Sequence, residues 1–143
     1  MNWKHILAIF KFVGIGFTPT HRASITGRAE ILRVLISNGA DVNIKDLSGC
    51  TPILYACRHG HLNAVTIFLS CKDIDLDAKT KDLKTCLHIV CETNNAAETL
   101  IPIAILLLDK NINAIYSLDK VNNLECCFYS NVFYLQNVHL SCI

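Results

Sequence analysis

Hydrophobic positions along this chain recur at spacings of three and four, in short runs separated by turn residues. The clearest example is residues 52–69, where one run stands on each side of Gly60. The second run has its apolar side chains at Leu62, Val65, Phe68 and Leu69. This spacing places them on one face of an α-helix, so the pattern predicts two consecutive short helices joined by a tight turn.

Local signals mark where the first of these helices begins and ends. Thr51 is placed as an N-cap whose hydroxyl would accept a backbone N–H from the first turn, and Pro52 suits the first helical position, where no donor is needed. Gly60 can take the left-handed conformation that ends a helix. If the hydroxyl caps the helix, we expect the substitution Thr51→Ala to lower the free energy of unfolding by about 1 kcal/mol.

The same unit occurs three times at an almost constant interval. A threonine-led helix start and a closing glycine, at Thr18 and Gly27, return 33 positions later at Thr51 and Gly60. A third start follows at Thr85, after a further 34 positions. Because isolated helices shorter than about 12–15 residues are marginal in water, each unit needs its neighbours. A period of this length is typical of a helical solenoid.

The repeating unit resembles the ankyrin repeat, whose pattern runs approximately D-x-x-G-x-T-P-L-H-x-A-A-x-x-G-H-x-x-x-V-x-x-L-L-x-x-G-A-D-V-N. Residues 46–69 follow the first part of that pattern, and residues 39–43 reproduce its close. The resemblance covers about residues 13–115. It implies an all-α fold, an ankyrin-repeat solenoid of stacked helix–turn–helix units with projecting hairpin loops, which we call fingers.

Three repeats are therefore expected, at residues 13–45, 46–79 and 80–115. The third departs most from the pattern, because Leu83 replaces the turn glycine and about five extra residues separate its two helices. Pro102 is expected to begin the second of them at its first position.

The two ends of the chain leave the pattern. Residues 1–12 are largely apolar and are expected to cap the first repeat, since the end units of a solenoid must be shielded. The alternatives for this segment are a targeting sequence and a helix that lies on a membrane surface. Residues 116–143 are expected to form a degenerate repeat or a C-terminal cap, in which Asp119 and Asn122 echo the aspartate and glycine that open a repeat.

The composition is that of a folded protein with no bias towards nucleic acid. Hydrophobic residues make up 52% of the chain and charged residues 17%. Thirteen lysines and arginines stand against twelve acidic residues, a formal net charge of +1. Without a basic excess to contact phosphate backbones, we expect no nucleic-acid partner.

The chain contains eight cysteines, and the repeat register explains several of them. Cys57 and Cys91 occupy the same slot of successive repeats, where the family usually has a small alanine on the inner helix. A thiol in such a slot acts as a small hydrophobe. We interpret the cysteines as reduced, structural thiols of a cytoplasmic or nuclear protein.

Catalysis by a thiol is less well supported than this structural interpretation. Cys57 with His59, or Cys91 with His88, would have to lie within hydrogen-bond reach of each other. Side chains two positions apart on a helix point in different directions, and Cys57 should face the core. We therefore predict a non-catalytic protein with no cofactor and no small-molecule substrate.

Metal binding is also disfavoured. The sequence contains no Cys-x-x-Cys pair, and a zinc site made from Cys126, Cys127, His139 and Cys142 would require rearrangement. The aspartates at 73, 75 and 77 lack the glycine and distal glutamate of a calcium loop. Their alternation with Ile74 and Leu76 instead predicts an extended finger with one face in water.

The resemblance implies that the concave surface binds a partner protein through the fingers and the outward part of each inner helix. In repeat one these slots hold Ile15, Phe17, Ile25 and Thr26. In repeat two they hold Leu47, Ser48, Cys50, Arg58 and His59, with Tyr55 nearby. In repeat three they hold Lys81, Asp82, Lys84, Glu92 and Thr93. Arg58, His59 and Tyr55 are the leading candidates, since arginine and tyrosine are favoured at interface hot spots.

The family's histidine slot carries a structural expectation. His21 and His88 occupy it, and the resemblance implies a hydrogen bond from each to the neighbouring loop. Leu54 takes the slot in repeat two.

Our first hypothesis is a non-catalytic protein–protein interaction module, a scaffold or adaptor. The alternative is a membrane-associated adaptor anchored by an amphipathic N-terminal segment. Lys11 interrupts the apolar run of that segment, which is far shorter than the roughly 20 residues that a transmembrane helix needs. The first hypothesis is therefore preferred.

Overall fold

The computed structural model of the chain describes residues 16–93 and 97–110. These residues form six α-helices and contain no strand, which confirms the all-α class. The helices are α1 (Pro19–Ile25), α2 (Ala29–Ser37), α3 (Pro52–Arg58), α4 (Leu62–Leu69), α5 (Cys86–Glu92) and α6 (Ala97–Lys110). Helices α1, α3 and α5 pack side by side as an inner row, and α2, α4 and α6 form an outer row. Each inner helix also packs against the outer helix that follows it.

The core is richest in the middle repeat, which has a neighbour on each side. Ile53 and Leu54 of α3 and Val65 and Phe68 of α4 are almost completely buried. Single helices of seven to nine residues are too short to persist in water, so burial between neighbouring repeats is what stabilises them. The stack is therefore most secure where a repeat is covered on both sides.

The turn between α1 and α2 requires glycine for two reasons. Gly27 has a φ of +66°, a left-handed conformation that other residues adopt at a cost. A Cβ atom at this position would also lie 2.5 Å from Nδ1 of His61 in the next repeat. The ring packs there because its Nε2 atom donates a hydrogen bond to the Ile25 carbonyl oxygen (2.9 Å). Neighbouring repeats are thus fastened along this edge.

We number each finger with the repeat whose inner helix it leads into, so the second finger precedes α3 and the third finger precedes α5. The third finger contains a leucine in a backbone conformation suited to glycine. Leu83 has a φ of +62°, close to the +76° of Gly49 at the equivalent position of the second finger. Such a conformation costs a residue with a Cβ atom roughly 1–2 kcal/mol. The Leu83 side chain is 61% exposed and recovers little of that cost by burial.

Helix α1 begins with a reciprocal cap between a threonine and a histidine. The hydroxyl of Thr18 accepts a long hydrogen bond from the His21 backbone N–H (3.4 Å), and His21 Nδ1 accepts one from the Thr18 backbone N–H (3.2 Å). In α5, Nδ1 of His88 likewise accepts the Thr85 N–H (3.3 Å) and lies 2.7 Å from the Thr85 hydroxyl. The histidine at the third helical position is therefore part of the helix start.

The expectation that the Thr51 hydroxyl caps α3 is wrong. Thr51 is the N-cap residue with extended backbone, and Pro52 follows at the first position as predicted, but the hydroxyl makes no hydrogen bond. Its oxygen is buried without a partner. The backbone N–H of Leu54, at the third helical position, instead donates to the Thr51 carbonyl oxygen (3.1 Å). The Leu54 side chain also offers the hydroxyl no polar partner such as the ring nitrogen that His21 provides for Thr18.

The predicted start of the last outer helix is also wrong. Helix α6 begins at Ala97, and Pro102 lies inside it. The extra turn is useful because Leu100 then joins Ile103 and Leu107 on one buried stripe. Proline inside a helix removes one backbone hydrogen bond, and this burial offsets that loss.

The fingers are joined to each other by backbone and amide contacts. The Asn43 amide donates to the Asp73 carbonyl oxygen (2.6 Å) and accepts from the Asp75 N–H (2.9 Å). At the tips, the Lys81 N–H donates to the Ser48 carbonyl oxygen (3.2 Å). The aspartates at 73, 75 and 77 are exposed and alternate with half-buried Ile74 and Leu76, which confirms the predicted alternation.

Several expectations fall on other parts of the chain. The proposed cap at residues 1–12, the membrane-contacting alternative for the same segment and the contact slot at Ile15 lie outside the described residues. The same holds for the degenerate repeat at 116–143 and for the zinc alternative at Cys126, Cys127, His139 and Cys142.

The two threonine N-caps allow a matched test of the capping interaction. Replacing Thr18 with valine keeps the shape but removes the hydroxyl, and should lower the free energy of unfolding by about 1 kcal/mol. The same change at Thr51 should be neutral or slightly stabilising, since it removes a buried oxygen that has no partner. Urea unfolding followed by circular dichroism measures both. An equal loss in the two variants would contradict this difference between the caps.

Candidate functional site

The second finger is fixed to helix α3 through one carboxylate. Asp46 Oδ1 accepts hydrogen bonds from the backbone N–H groups of Ser48 (2.8 Å) and Cys50 (2.9 Å), which holds the turn of the finger. Asp46 Oδ2 accepts a short hydrogen bond from the Tyr55 hydroxyl (2.6 Å). Partial burial and the Asp46 carboxylate raise the pKa of Tyr55. The tyrosine therefore stays protonated as a donor, and its ring has a fixed position.

Aromatic rings from repeats one and two gather around this tyrosine. The ring of Phe17 lies 5.3 Å from the rings of both His21 and Tyr55, and those two are 5.9 Å apart in an edge-to-face arrangement. The guanidinium carbon of Arg58 lies 5.6 Å from the centre of the Tyr55 ring. This is within the range of a cation–π interaction. The guanidinium group of Arg58 thus lies over a tyrosine ring whose position is already fixed by its neighbours.

Most of the predicted contact residues are accessible, and together they form what we call the finger surface. Leu47, Ser48, Arg58, His59, Lys81, Asp82 and Glu92 are exposed, and Tyr55, Lys84 and Thr93 are half-buried. In repeat one, Thr26 is exposed, and Phe17 and Ile25 are half-buried. The assignment of Cys50 to a contact slot is wrong, because its side chain is buried beneath the second finger.

Two of the charged contact residues of repeat three are paired with each other. Lys84 Nζ lies 2.6 Å from Glu92 Oε2, which joins the third finger to the end of α5. An ion pair this exposed contributes little to stability. It does, however, direct both side chains towards each other rather than outwards. In repeat two, the charge on the finger surface is Arg58, which lies over the Tyr55 ring.

His59 stands beside a second histidine with a different role. The His59 and His61 rings are stacked with their centres 6.1 Å apart, but His61 is occupied by the Ile25 carbonyl oxygen. Partial burial lowers the pKa of His59, and His61 and Arg58 add to that effect. His59 is therefore mainly neutral at pH 7. In the described residues, no group of three or more potential metal ligands comes together.

Three of the five thiols in the described residues, those of Cys50, Cys57 and Cys86, are buried core groups, and those of Cys71 and Cys91 are half-buried. Cys57 is completely buried and Cys86 nearly so, and none of the five cysteines in these residues forms a disulfide bond. The pKa of Cys57 is raised mainly by a hydrogen bond with Cys86 and secondly by burial. A catalytic thiol needs the opposite shift, because the thiolate is the nucleophile. His59, the sequence candidate for its base, is exposed on another side of the helix.

Sequence reasoning overlooked the link between Asp46 and Tyr55. The two residues lie nine positions apart, one in a finger and one in a helix, so no helical or strand spacing connects them. The repeat pattern has an aspartate at the position of Asp46, but position 55 is unspecified in it, and repeats one and three have Arg22 and Ile89 there. The register therefore gave no signal for this pair. Phe17 and His21 join them only through the stacking of repeat one on repeat two.

None of the helices in the described residues combines the length and the apolar character needed to cross a lipid bilayer. This finding concerns residues 16–93 and 97–110 alone.

Paired helices in two rows, with fingers joined tip to tip, define a helical solenoid with an open finger surface. The family described as ankyrin repeats, in three copies, matches residues 20–116. The chain therefore belongs to the ankyrin-repeat family, as the sequence pattern indicated.

Curated relatives share the repeats but are much longer proteins. An E3 ubiquitin-protein ligase of Arabidopsis thaliana, XBAT33, is 31% identical over 98 residues, which is 68% of this chain and 19% of the relative. The probable E3 ubiquitin-protein ligase XBOS33 of rice is 40% identical over 52 residues, 36% of this chain and 10% of the relative. The NF-kappa-B inhibitor alpha of chicken is 42% identical over 50 residues, 35% of this chain and 16% of the relative. The chain thus spans at most about a fifth of these relatives.

The buried His21 predicts a pH dependence of stability. Burial lowers its pKa below the ordinary value of 6.5, despite hydrogen bonding and Asp46 acting in the other direction. Below pH 6.5 the unfolded chain therefore binds more protons than the folded one, and stability should fall as the pH decreases. Replacing His21 with leucine, the residue used at position 54, should reduce this slope. Urea unfolding between pH 7.5 and 5 measures it, and equal slopes in both proteins would contradict the assignment.

Proposed function

We propose that this chain is a non-catalytic interaction module that binds a partner protein on the finger surface. The observation that carries the proposal is the support of Arg58 on Tyr55, which Asp46 ties to the second finger. A side chain already held in place loses less conformational entropy on binding. The combination of arginine, tyrosine and histidine at one point is typical of residues that dominate interface energies.

Apolar side chains at the fingers add a second kind of contact. Leu47 and Leu83 are each 61% exposed and lie in fingers two and three, whose tips are joined between Lys81 and Ser48. A partner seated against the fingers would cover both leucines while meeting Arg58 at the end of α3. Apolar area with one directed charge favours a protein partner over a nucleic acid, which would call for a basic surface.

The relatives support a binding role rather than a reaction. Their names denote ubiquitin ligases in two cases and an inhibitor of NF-kappa-B in another, yet the region shared with this chain is the ankyrin repeats. We infer that the repeats supply recognition in proteins of different activity, and that this chain does the same as a scaffold or adaptor. The reduced thiols of the core suit a cytoplasmic or nuclear location.

Two exposed arginines give a matched test of the finger surface. Arg58 lies on this surface, whereas Arg33 lies on the outer helix α2 in an exposed contact with Glu30. The Arg58→Ala variant should capture about tenfold less, or lower still, of the proteins that the wild-type chain captures from a cell lysate. Truncating a hot-spot side chain costs about 2 kcal/mol or more, and about 1.4 kcal/mol already corresponds to a tenfold change in affinity. The variant Arg33→Ala should retain them. Quantitative mass spectrometry measures the ratios, with circular dichroism to check that each variant is folded.

A further substitution separates shape from charge. The variant Arg58→Lys keeps the positive charge but loses the planar group that lies over the Tyr55 ring. Binding through a supported guanidinium should be weakened by this change as well.

If the Arg58→Ala and Arg33→Ala chains captured the same proteins in the same amounts, the finger surface would not be the binding site.

A further inference from the structure

Each of the first two inner helices exposes a single side chain, and in both helices that side chain is an arginine. In α1 it is Arg22 and in α3 it is Arg58, while every other residue of these helices is buried or half-buried. Neither helix contains an acidic residue. In α5 the exposed residue is Glu92, but its carboxylate is paired with Lys84 Nζ (2.6 Å). The inner row of repeats one and two therefore presents only positive charge.

The fingers extend this positive charge. Lys45 and Lys79 are exposed at equivalent positions, directly before the turns of fingers two and three, and Lys81 is exposed at the tip of finger three. The Lys81 N–H donates to the Ser48 carbonyl oxygen (3.2 Å). A Cβ atom at Gly49 would lie 3.6 Å from Lys81 Cγ, so the stem of this lysine passes close to the tip of finger two. The position of its ammonium group is thus constrained by both fingers.

Most acidic side chains lie elsewhere. Asp46 is buried, and both of its carboxylate oxygens already accept hydrogen bonds, so Asp82 is the one exposed acid in the described finger turns. The other exposed acids of the described residues, apart from Glu92, lie on the outer helices or in the segments that follow them, at Glu30, Asp41, Asp73, Asp75, Asp77, Glu98 and Asp109. Positive charge is therefore concentrated on the inner row and the finger turns.

Exposed apolar side chains stand beside these basic groups. Leu47 and Leu83, in fingers two and three, are each 61% exposed. A phosphate backbone has no group to cover them, and the formal net charge of +1 is far below the basic excess of nucleic-acid-binding domains. A polypeptide, by contrast, can bring carboxylates and apolar side chains together, and a carboxylate is the group that the planar guanidinium of arginine binds best.

We propose that the partner segment that binds the finger surface is an acidic polypeptide with apolar side chains. Its carboxylates meet Arg22, Arg58 and Lys81, and its apolar side chains cover Leu47 and Leu83. This inference rests on the proposed function, because it names the chemistry of the partner at the same surface.

A display selection of random short peptides on the full-length wild-type chain tests the charge of the preferred segment. Retained peptides should be enriched in aspartate and glutamate, together with leucine or aromatic residues, relative to the unselected library. Their affinity, measured by fluorescence polarisation, should fall as the salt concentration rises, because attraction between exposed charges is screened.

Two charge reversals that change the net charge equally locate the contact. Arg22 lies on the inner row, whereas Arg33 lies on the outer helix α2. The Arg22→Glu variant should bind the selected acidic peptides about tenfold more weakly, since it replaces one attraction by a repulsion. The Arg33→Glu variant should bind them nearly as well as the wild type. Lys81→Glu provides a second reversal outside the helices, and circular dichroism checks that each variant is folded.

Failure of this inference differs from failure of the proposed function. A selection that enriches no acidic peptide would overturn the acidic segment. If the peptides that it does enrich lose binding to the Arg58→Ala chain, the finger surface remains the binding site. Acidic peptides that bind the Arg22→Glu, Lys81→Glu and Arg58→Ala chains as tightly as the wild type would overturn both, because the finger surface would not hold them.

Discussion

The structure depends on the burial of helices that are too short to be stable alone. Five of the six described helices have seven to nine residues, and each is held by the pair partner and by the same element of the next repeat. Polar groups at the junctions therefore have to be paired between repeats. The Nε2–H bond from His21 to the Cys50 carbonyl and the bond from His61 to the Ile25 carbonyl both do this. The stability of each repeat consequently depends on its contacts with the neighbouring repeats.

The repeat register made the architecture predictable. Thr18, Thr51 and Thr85 stand at equivalent positions, and α1, α3 and α5 begin directly after them. The boundaries of α2 and the burial of Cys57 also followed from the register, because both depend on residues that recur. What could not be predicted depends on a missing partner or on tertiary packing. The Thr51 hydroxyl has no partner because the Leu54 N–H donates to the Thr51 carbonyl oxygen and the Leu54 side chain is apolar. Helix α6 runs through Pro102 because Leu100 gains burial.

The candidate site was predictable in part for the same reason. Its slots came from the register, and seven of the ten residues assigned in repeats two and three, leaving Cys50 aside, are exposed. The other three, Tyr55, Lys84 and Thr93, are half-buried. The register could not show that Cys50 turns inwards or that Lys84 pairs with Glu92, since these depend on side-chain contacts particular to this chain. Nor could it show that Asp46 fixes the tyrosine beneath Arg58.

The residue in the histidine slot decides which polar contacts a repeat makes at its helix start and with the next repeat. Where the slot holds histidine, the helix start gains a cap and the ring presents a second N–H that must find a carbonyl in the following repeat. Where it holds leucine, as at position 54, both the cap and that requirement disappear together. A histidine at position 88 therefore has a consequence beyond its own repeat. At His88 this second N–H is buried and has no acceptor among the described residues, a cost that the leucine at position 54 avoids.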